Sequence, residues 1–186
     1  MREAHFQTSL LHVNYGQVTL DAEKRAIEYL REYVSSDPPI YLDIGSIGKL
    51  GAGTLVSEEG SCDEMYPHRN LMLLVAASIV ATATDSSTVA IGVIDSENAE
   101  FADCRTQFLS KASELLMECD PAIDLKVPLM SKTKVEVLIE AVRLGLPYYG
   151  SFSCNVRGDR HCWSCRSCIE RAAAHNAIVA SGHEKW

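Results

Sequence analysis

Apolar and polar residues follow two different spacings in the first fifth of the chain. Positions 9–14 alternate, which predicts a strand, whereas 20–34 carries apolar residues three or four apart, which predicts an amphipathic helix. The Ser-Ser-Asp-Pro-Pro run at 35–39 ends that helix, and 40–44 reads as a second strand. This order is the beginning of a βαβ pattern.

The alternation continues after a Gly- and Ser-rich stretch at 45–67, which we interpret as a long surface loop that can hold a short helix. Residues 71–84 are apolar almost all round and predict a buried helix, and 89–94 predicts a buried parallel strand. Further elements are expected at 104–119 (helix), 124–128 (strand), 132–144 (helix, with Ser131 as N-cap and Gly145 as C-cap) and 169–180 (helix).

The whole pattern of about four strands alternating with about five helices predicts an open parallel sheet with helices on both faces. We expect this α/β domain to span 1–150, with a smaller metal-binding segment at 151–186. Ligands of such sheets bind beyond the carboxyl ends of the strands. That rule groups 14–17, 92–105 and 128–134 as one candidate site.

Four of the seven cysteines fall within fifteen residues in the spacing Cys-x7-Cys-x2-Cys-x2-Cys. Four thiolates complete a tetrahedral zinc site and leave no position for water, so the zinc is expected to be structural. A free-thiol or disulfide cluster and an iron–sulfur cluster remain open alternatives. The expected ligands are Cys154, Cys162, Cys165 and Cys168, with His161, His175 and His183 as bystanders.

Composition and charge narrow the function classes. A chain of 186 residues, 47% of them hydrophobic, can bury the core of one domain. Its formal net charge of −8 argues against broad binding to nucleic acid or a membrane surface, although basic residues outnumber acidic ones after Gly150, where a phosphate could bind. The start lacks the pattern of a signal peptide, and the near-apolar stretch 71–83 is shorter than the roughly 20 residues of a membrane span. We therefore expect a cytoplasmic protein.

Taken in order, several short motifs resemble those of the 7-cyano-7-deazaguanine synthases, the QueC family. Asn14-Tyr15-Gly16-Gln17 is similar to the family's Asp-Tyr-Gly-Gln, and Pro67-His68-Arg69-Asn70 to its Pro-x-Arg-Asn. The resemblance continues through Ile91-Gly92-Val93, Asp103-Cys104-Arg105 with Phe108, Pro128, Lys132-Thr133-Lys134 with Glu136, Ser153-Cys154 and the cysteine cluster with Arg171.

The resemblance implies an adenine-nucleotide α-hydrolase-like fold, one structural zinc and an ATP-dependent ligase that uses Mg²⁺. In that reaction ATP activates the carboxylate of 7-carboxy-7-deazaguanine as an adenylate, ammonia displaces AMP to give an amide, and a second activation allows dehydration to the nitrile. Arg69, Arg105 and Lys132 match family positions suited to developing phosphate charge. The residues expected to bind substrate or nucleotide are Tyr15, Gln17, Asn70 and Asp103.

The chain also departs from the family pattern. Family members open with a strand followed by Ser-Gly-Gly-x-Asp-Ser, the loop that binds the pyrophosphate of ATP, and this sequence does not contain it. Because that strand is central in the fold, its absence is expected to leave the neighbouring strand edges unpaired. In addition, Asn14 replaces an aspartate, Thr19 falls where a basic residue is usual, and the first cysteine gap is one residue shorter.

Two classes of function follow, with a homodimer expected in either case. The first is a ligase that makes 7-cyano-7-deazaguanine. Its loop for the pyrophosphate of ATP lies upstream of this sequence or is supplied by a partner chain. The second is a family-derived module that binds a deazapurine, a nucleotide or a partner protein without adenylating anything. A third hypothesis, a nucleic-acid-binding zinc knuckle, conflicts with the negative charge and the α/β body.

Overall fold

The secondary structure alternates between strands and helices. The computed structural model describes residues 7–34, 37–50, 53–57, 66–94 and 101–182. Within them lie β1 Leu11–Asn14, α1 Leu20–Val34, β2 Ile40–Asp43, α2 Arg69–Ala83, β3 Thr88–Ala90, α3 Thr106–Cys119, β4 Asp124–Lys126, α4 Lys134–Arg143 and α5 Arg166–Ala180. Short 3₁₀ turns occupy Gly45–Leu50, Thr54–Val56, Ala102–Cys104 and Tyr148–Gly150.

Every strand pairing in the described part of the chain is parallel. Leu11 of β1 lies opposite Ile40 of β2, and Thr88 of β3 lies opposite Asp124 of β4. A helix separates the two strands of each pair along the chain, as parallel pairing requires. The predicted α/β class with parallel strands is confirmed, and these residues arrange the four strands as two sheets of two.

The chain divides into two compact units. The first takes its described residues from 1–66 and 138–186 and contains β1, α1, β2 and α5. The second takes its residues from 67–137 and contains α2, β3, α3 and β4. The predicted division into 1–150 and 151–186 remains a prediction.

The core of the second unit lies where α2 and α3 pack against β3 and β4. Leu74 of α2 is 1% exposed and Ile123, just before β4, is 2% exposed. Val89, Leu109 and Leu116 belong to the same cluster. The prediction that α2 is buried all round is wrong for the described residues, because only one side of the helix meets this core, and Ile79 remains 64% exposed.

The ends of α4 show which local interactions set its length. Thr133 Oγ1 accepts the N–H of Glu136, and the Glu136 carboxylate accepts the N–H of Thr133 at 2.7 Å, which is a capping box. Ser131 is therefore not the N-cap; it has a positive φ of 65° in the preceding turn. The expected C-cap is confirmed, since Gly145 has φ 70° and the N–H of Leu146 donates to the carbonyl of Ala141 in a Schellman arrangement.

Among the residues that the structure describes, none of the helices combines the length and apolar character needed to cross a bilayer.

The buried and exposed faces of α2 provide a direct test of the second unit's core. Leu74→Ala removes a side chain that is 1% exposed, so we expect it to lower the free energy of unfolding by about 2–5 kcal/mol. Val75→Ala, on the neighbouring position at 44% exposure, is the matched control and should cost far less. Urea denaturation of both variants and the wild type measures the difference. Equal losses would contradict the packing described here.

Candidate metal centre and binding cleft

Four cysteines converge in the first unit. The Sγ atoms of Cys154, Cys162, Cys165 and Cys168 all lie within 4.8 Å of one another, and those of Cys162 and Cys168 are 3.9 Å apart. Four sulfurs bound tetrahedrally at about 2.3 Å from a zinc ion would lie about 3.8 Å from each other. The donor set and its spacing therefore fit one metal ion, with every coordination position filled by protein.

The local backbone explains why the sulfurs meet. Cys165 is the N-cap of α5 and Cys168 lies in its first turn, so the two residues are three positions apart at one helix end. Trp163 has a φ of 58°, which tightens the turn between Cys162 and Cys165. The N–H groups of Ser164 and Cys165 both donate to Cys162 Sγ, at 3.4 and 3.2 Å. Such donors stabilise a thiolate.

The cysteines of the cluster differ in how easily they ionise. The Ser164 hydroxyl lowers the pKa of the Cys162 thiol to about 6, whereas burial raises the pKa of Cys168 to about 12. Burial likewise raises the pKa of Cys154. A coordinated metal ion removes the proton of a thiol outright. The ion thus supplies the positive charge that full ionisation of these buried sulfurs requires.

The nearby histidines have other partners. His161 Nε2 accepts the N–H of Ser153 at 3.2 Å, and His175 Nδ1 lies 2.7 Å from the hydroxyl of Tyr148. Neither belongs to the group of ligand atoms found in the described residues. His183 lies outside those residues.

A cleft of about 530 Å³ opens in the first unit at the carboxyl ends of β1 and β2. Its volume falls in the range of roughly 300–1,000 Å³ that small-molecule sites occupy, and its position obeys the strand-end rule. The lining comes from the turn after β1, the first turn of α1, the turn after β2, and one residue of the loop between Cys154 and Cys162. These include Asn14, Gln17, Asp21, Asp43, Ser46, Lys49 and Arg157.

The two strand-end turns are built alike and touch each other. Asn14 and Asp43 are opposite one another in the β1–β2 register, and each side-chain oxygen accepts the N–H two residues on, at 2.9 and 2.8 Å. Gly16 adopts a φ of 91°, which favours glycine. A Cβ on Gly48 would lie 2.6 Å from the carbonyl oxygen of Tyr15. The close backbone contact therefore requires glycine in the second turn.

Gln17 holds the first of these turns from inside. Its side chain is 4% exposed, accepts the N–H of Tyr15 at 2.9 Å, and donates to the carbonyl of Val13 at 3.1 Å. The same amide nitrogen donates to Glu23 Oε2 at 2.9 Å. Because the oxygen and the nitrogen of this buried amide both have hydrogen-bond partners, the side chain fixes the geometry of the turn.

Glu23 of α1 anchors that amide. It also accepts hydrogen bonds from His12 Nε2 at 2.9 Å and from the hydroxyl of Thr19. Burial alone raises the pKa of Glu23, but the hydrogen bonds from His12, Gln17 and Thr19 outweigh burial and bring it below its ordinary value. The carboxylate is thus the ionised centre of a network behind the cleft.

The residues predicted to bind substrate or nucleotide divide between the units. In the first unit Gln17 lines the cleft, while the Tyr15 ring is buried and packs 5.2 Å from the Tyr66 ring. In the second unit Asn70 Nδ2 donates to the carbonyl of Asp103 at 3.0 Å and to Cys104 Sγ at 3.2 Å.

The N-terminus of α2 receives the carboxylate of Asp103. Asp103 Oδ2 accepts the backbone N–H of Asn70 at 3.0 Å. The three predicted catalytic cations belong to the same unit, where Arg69 begins α2, Arg105 precedes α3 and Lys132 precedes α4. Their catalytic roles remain predictions.

Sequence reasoning missed part of the cleft. Asp43, Ser46 and Lys49 follow β2, and the strand-end rule applied to that strand would have found them. We instead interpreted the stretch 45–67 as a long surface loop and assigned it no ligand. Arg157 was noted only as one of several basic residues after Gly150, because its place in the cleft is set by tertiary structure.

The fold and the two sites together define a class: an α/β protein with parallel strands, a cleft at the carboxyl ends of β1 and β2, and a cluster of four cysteines that could hold a metal ion. Comparison with known sequences identifies the family. The family model described as "Queuosine biosynthesis protein QueC" matches residues 1–179. The chain belongs to the QueC family.

Curated relatives agree with this assignment. The chain is 30% identical over 185 residues to 7-cyano-7-deazaguanine synthase 1 of Desulfitobacterium hafniense (strain Y51), covering 94% of this chain and 83% of the relative. It is 27% identical to the 7-cyano-7-deazaguanine synthase of Sulfurovum sp. (strain NBC37-1), covering 90% and 81%. It is 28% identical to that of Methanoculleus marisnigri, covering 95% and 86%.

The metal centre predicts a stoichiometry and a stability change. We expect about one metal ion per chain, measured by elemental analysis of protein purified without chelator. Cys165→Ser should lower the metal content and the melting temperature, since a structural metal contributes folding energy directly. Cys119→Ser is the control, because Cys119 is exposed on α3 and outside the cluster. A metal-free wild type that melts cooperatively would contradict the assignment.

The Glu23 network predicts a pH dependence. A carboxylate whose pKa is lowered by folding contributes stability that is present above its unfolded value of about 4.3 and lost as pH falls through the lower folded value. We expect Glu23→Gln to be less stable than the wild type at pH 7, with the gap closing below about pH 4. Denaturant titrations from pH 7 to pH 3 measure this. Glu32→Gln, an exposed change on the same helix, is the control and should show a constant small gap.

Proposed function

We propose that this chain acts in the synthesis of 7-cyano-7-deazaguanine as an ATP-dependent ligase. The observation that carries the proposal is the match to the QueC family over residues 1–179, together with relatives named 7-cyano-7-deazaguanine synthase. A small-molecule cleft at the carboxyl ends of parallel strands supports it.

The proposed reaction joins the carboxylate of 7-carboxy-7-deazaguanine to ammonia. ATP, with Mg²⁺, supplies the activation by transferring AMP to the carboxylate and releasing pyrophosphate. Ammonia then displaces AMP, and a second activation of the amide oxygen allows loss of AMP to give the nitrile. In this scheme Arg69, Arg105 and Lys132 stabilise the developing phosphate charge.

We propose that the metal of the four-cysteine centre is zinc with a structural role. Four thiolate donors at tetrahedral spacing suit zinc, and the filled coordination shell provides no position for substrate. Its part in the reaction is then indirect: it holds the loop between Cys154 and Cys162 and the start of α5.

The ATP loop is proposed to come from outside this sequence, either upstream or on a second polypeptide. Parallel sheets are normally buried between helices and contain more than two strands. In the described residues β1 pairs with β2 alone and β3 with β4 alone. An added strand that carries Ser-Gly-Gly-x-Asp-Ser would find a free edge on either pair. A homodimer and a cytoplasmic location complete the proposal.

The decisive experiment measures AMP and nitrile after incubation with ATP, ammonium and 7-carboxy-7-deazaguanine. AMP release that depends on the carboxylate is the expected result, and Arg69→Ala should reduce it about 10²–10³-fold if the guanidinium stabilises transition-state charge. Arg143→Ala is the matched control, since Arg143 is an exposed arginine paired with Glu140.

Each other outcome has a defined meaning. AMP that forms only when a second polypeptide with the Ser-Gly-Gly-x-Asp-Ser loop is added would place the loop in trans. Binding of the deazaguanine acid without AMP, with or without that polypeptide, would favour the non-adenylating binding module instead.

A further inference from the structure

Two cations line the cleft of the first unit, Lys49 and Arg157, and neither belongs to a motif that carries the family resemblance. We propose that Lys49 and Arg157 together bind an anionic group of the ligand, either the carboxylate of the deazaguanine acid or a phosphate of the nucleotide. The nature of the ligand rests on the proposed function, whereas the anion site rests on the cleft itself.

The lining holds two cations and two acids, so an anion is favoured by the chemistry of the two cations and not by a net positive charge of the cleft. Arginine recognises carboxylates and phosphates through paired N–H donors, and lysine through a point charge. Each of the two acids has a local role: Asp43 accepts the N–H of Gly45 at 2.8 Å, and Asp21 lies in the first turn of α1, where the helix dipole stabilises negative charge.

Asn14 contributes a neutral polar side chain to the same cleft. Its Oδ1 accepts the N–H of Gly16 at 2.9 Å, so an uncharged amide closes the turn after β1. The equivalent turn after β2 is closed by the carboxylate of Asp43.

The metal centre determines where Arg157 lies. The N–H of Val156 donates to Cys154 Sγ at 3.4 Å, and Asn155 Nδ2 donates to the Ser167 hydroxyl of α5 at 3.2 Å. The three residues directly before Arg157 are therefore fixed to a metal ligand and to the helix that carries another. The loop between Cys154 and Cys162 therefore places the Arg157 side chain at the cleft. The four-cysteine site that anchors this loop has no coordination position left for a ligand.

The test uses two pairs of ligands that differ in charge. The deazaguanine acid is compared with the neutral nitrile, and ATP with adenosine, by isothermal titration calorimetry on metal-loaded protein. We expect Arg157→Ala and Lys49→Ala each to lower the affinity for one anionic ligand about 10- to 100-fold. The affinity for its neutral counterpart should stay unchanged. Arg160→Ala, in the same loop but outside the cleft lining, is the matched control.

Asn14→Asp isolates charge from structure. The new carboxylate can still accept the N–H of Gly16, so the turn should persist. The added negative charge should lower the affinity for the same anionic ligand. Metal content and melting temperature, measured for every variant, exclude loss of folding as the cause.

The outcomes separate this site from the proposed function. If the variants lose affinity selectively for the deazaguanine acid, the bound group is the carboxylate. If they lose affinity selectively for ATP, the bound group is a phosphate. Equal losses for charged and neutral ligands, no loss in any variant, or no binding of either anion by the wild type would overturn the proposal. Selective binding without AMP release would leave the anion site standing and reject the ligase.

Discussion

Four sulfur atoms within 4.8 Å of one another, three of them on buried cysteines and one on the half-buried Cys162, are the constraint on which much of the first unit depends. Burial opposes ionisation of Cys154 and Cys168, so the cluster needs a cation to become fully anionic. Once bound, that cation ties the loop after Cys154 to the start of α5. A loop with Gly158 and several polar residues would otherwise have many conformations. A metal ion held by these cysteines would therefore restrain the loop that carries Arg157 into the cleft lining.

The strand-end turns that line the cleft are held by hydrogen bonds. Asn14 and Asp43 close equivalent turns at the ends of paired strands, and the buried amide of Gln17 joins the first turn to Glu23. The buried Gln17 amide has partners for both its oxygen and its nitrogen, which makes the arrangement specific. A site held in this way requires little reorganisation when a ligand binds.

The charges with candidate roles lie in both units. Lys49 and Arg157 line a cleft of the first unit, whereas Arg69, Arg105 and Lys132 lie at the starts of helices or beside them in the second. Adenylation followed by amide formation requires two tasks, holding a carboxylate and neutralising phosphate charge. In the proposed ligase, Arg69, Arg105 and Lys132 serve the second task. The anion that Lys49 and Arg157 bind decides which of the two tasks that pair serves.

The sequence by itself determined the helix and strand order, the parallel class and the four cysteines that could hold a metal ion, because periodicity and cysteine spacing are local properties. It also placed Gly145 at the end of α4. It misplaced the N-cap at Ser131, since the reciprocal bonds of Thr133 and Glu136 compete for the same turn. Only the tertiary structure decided that α2 exposes Ile79 and that Arg157 joins Lys49 in one cleft. Those features depend on contacts between residues far apart in the chain, which no local pattern encodes.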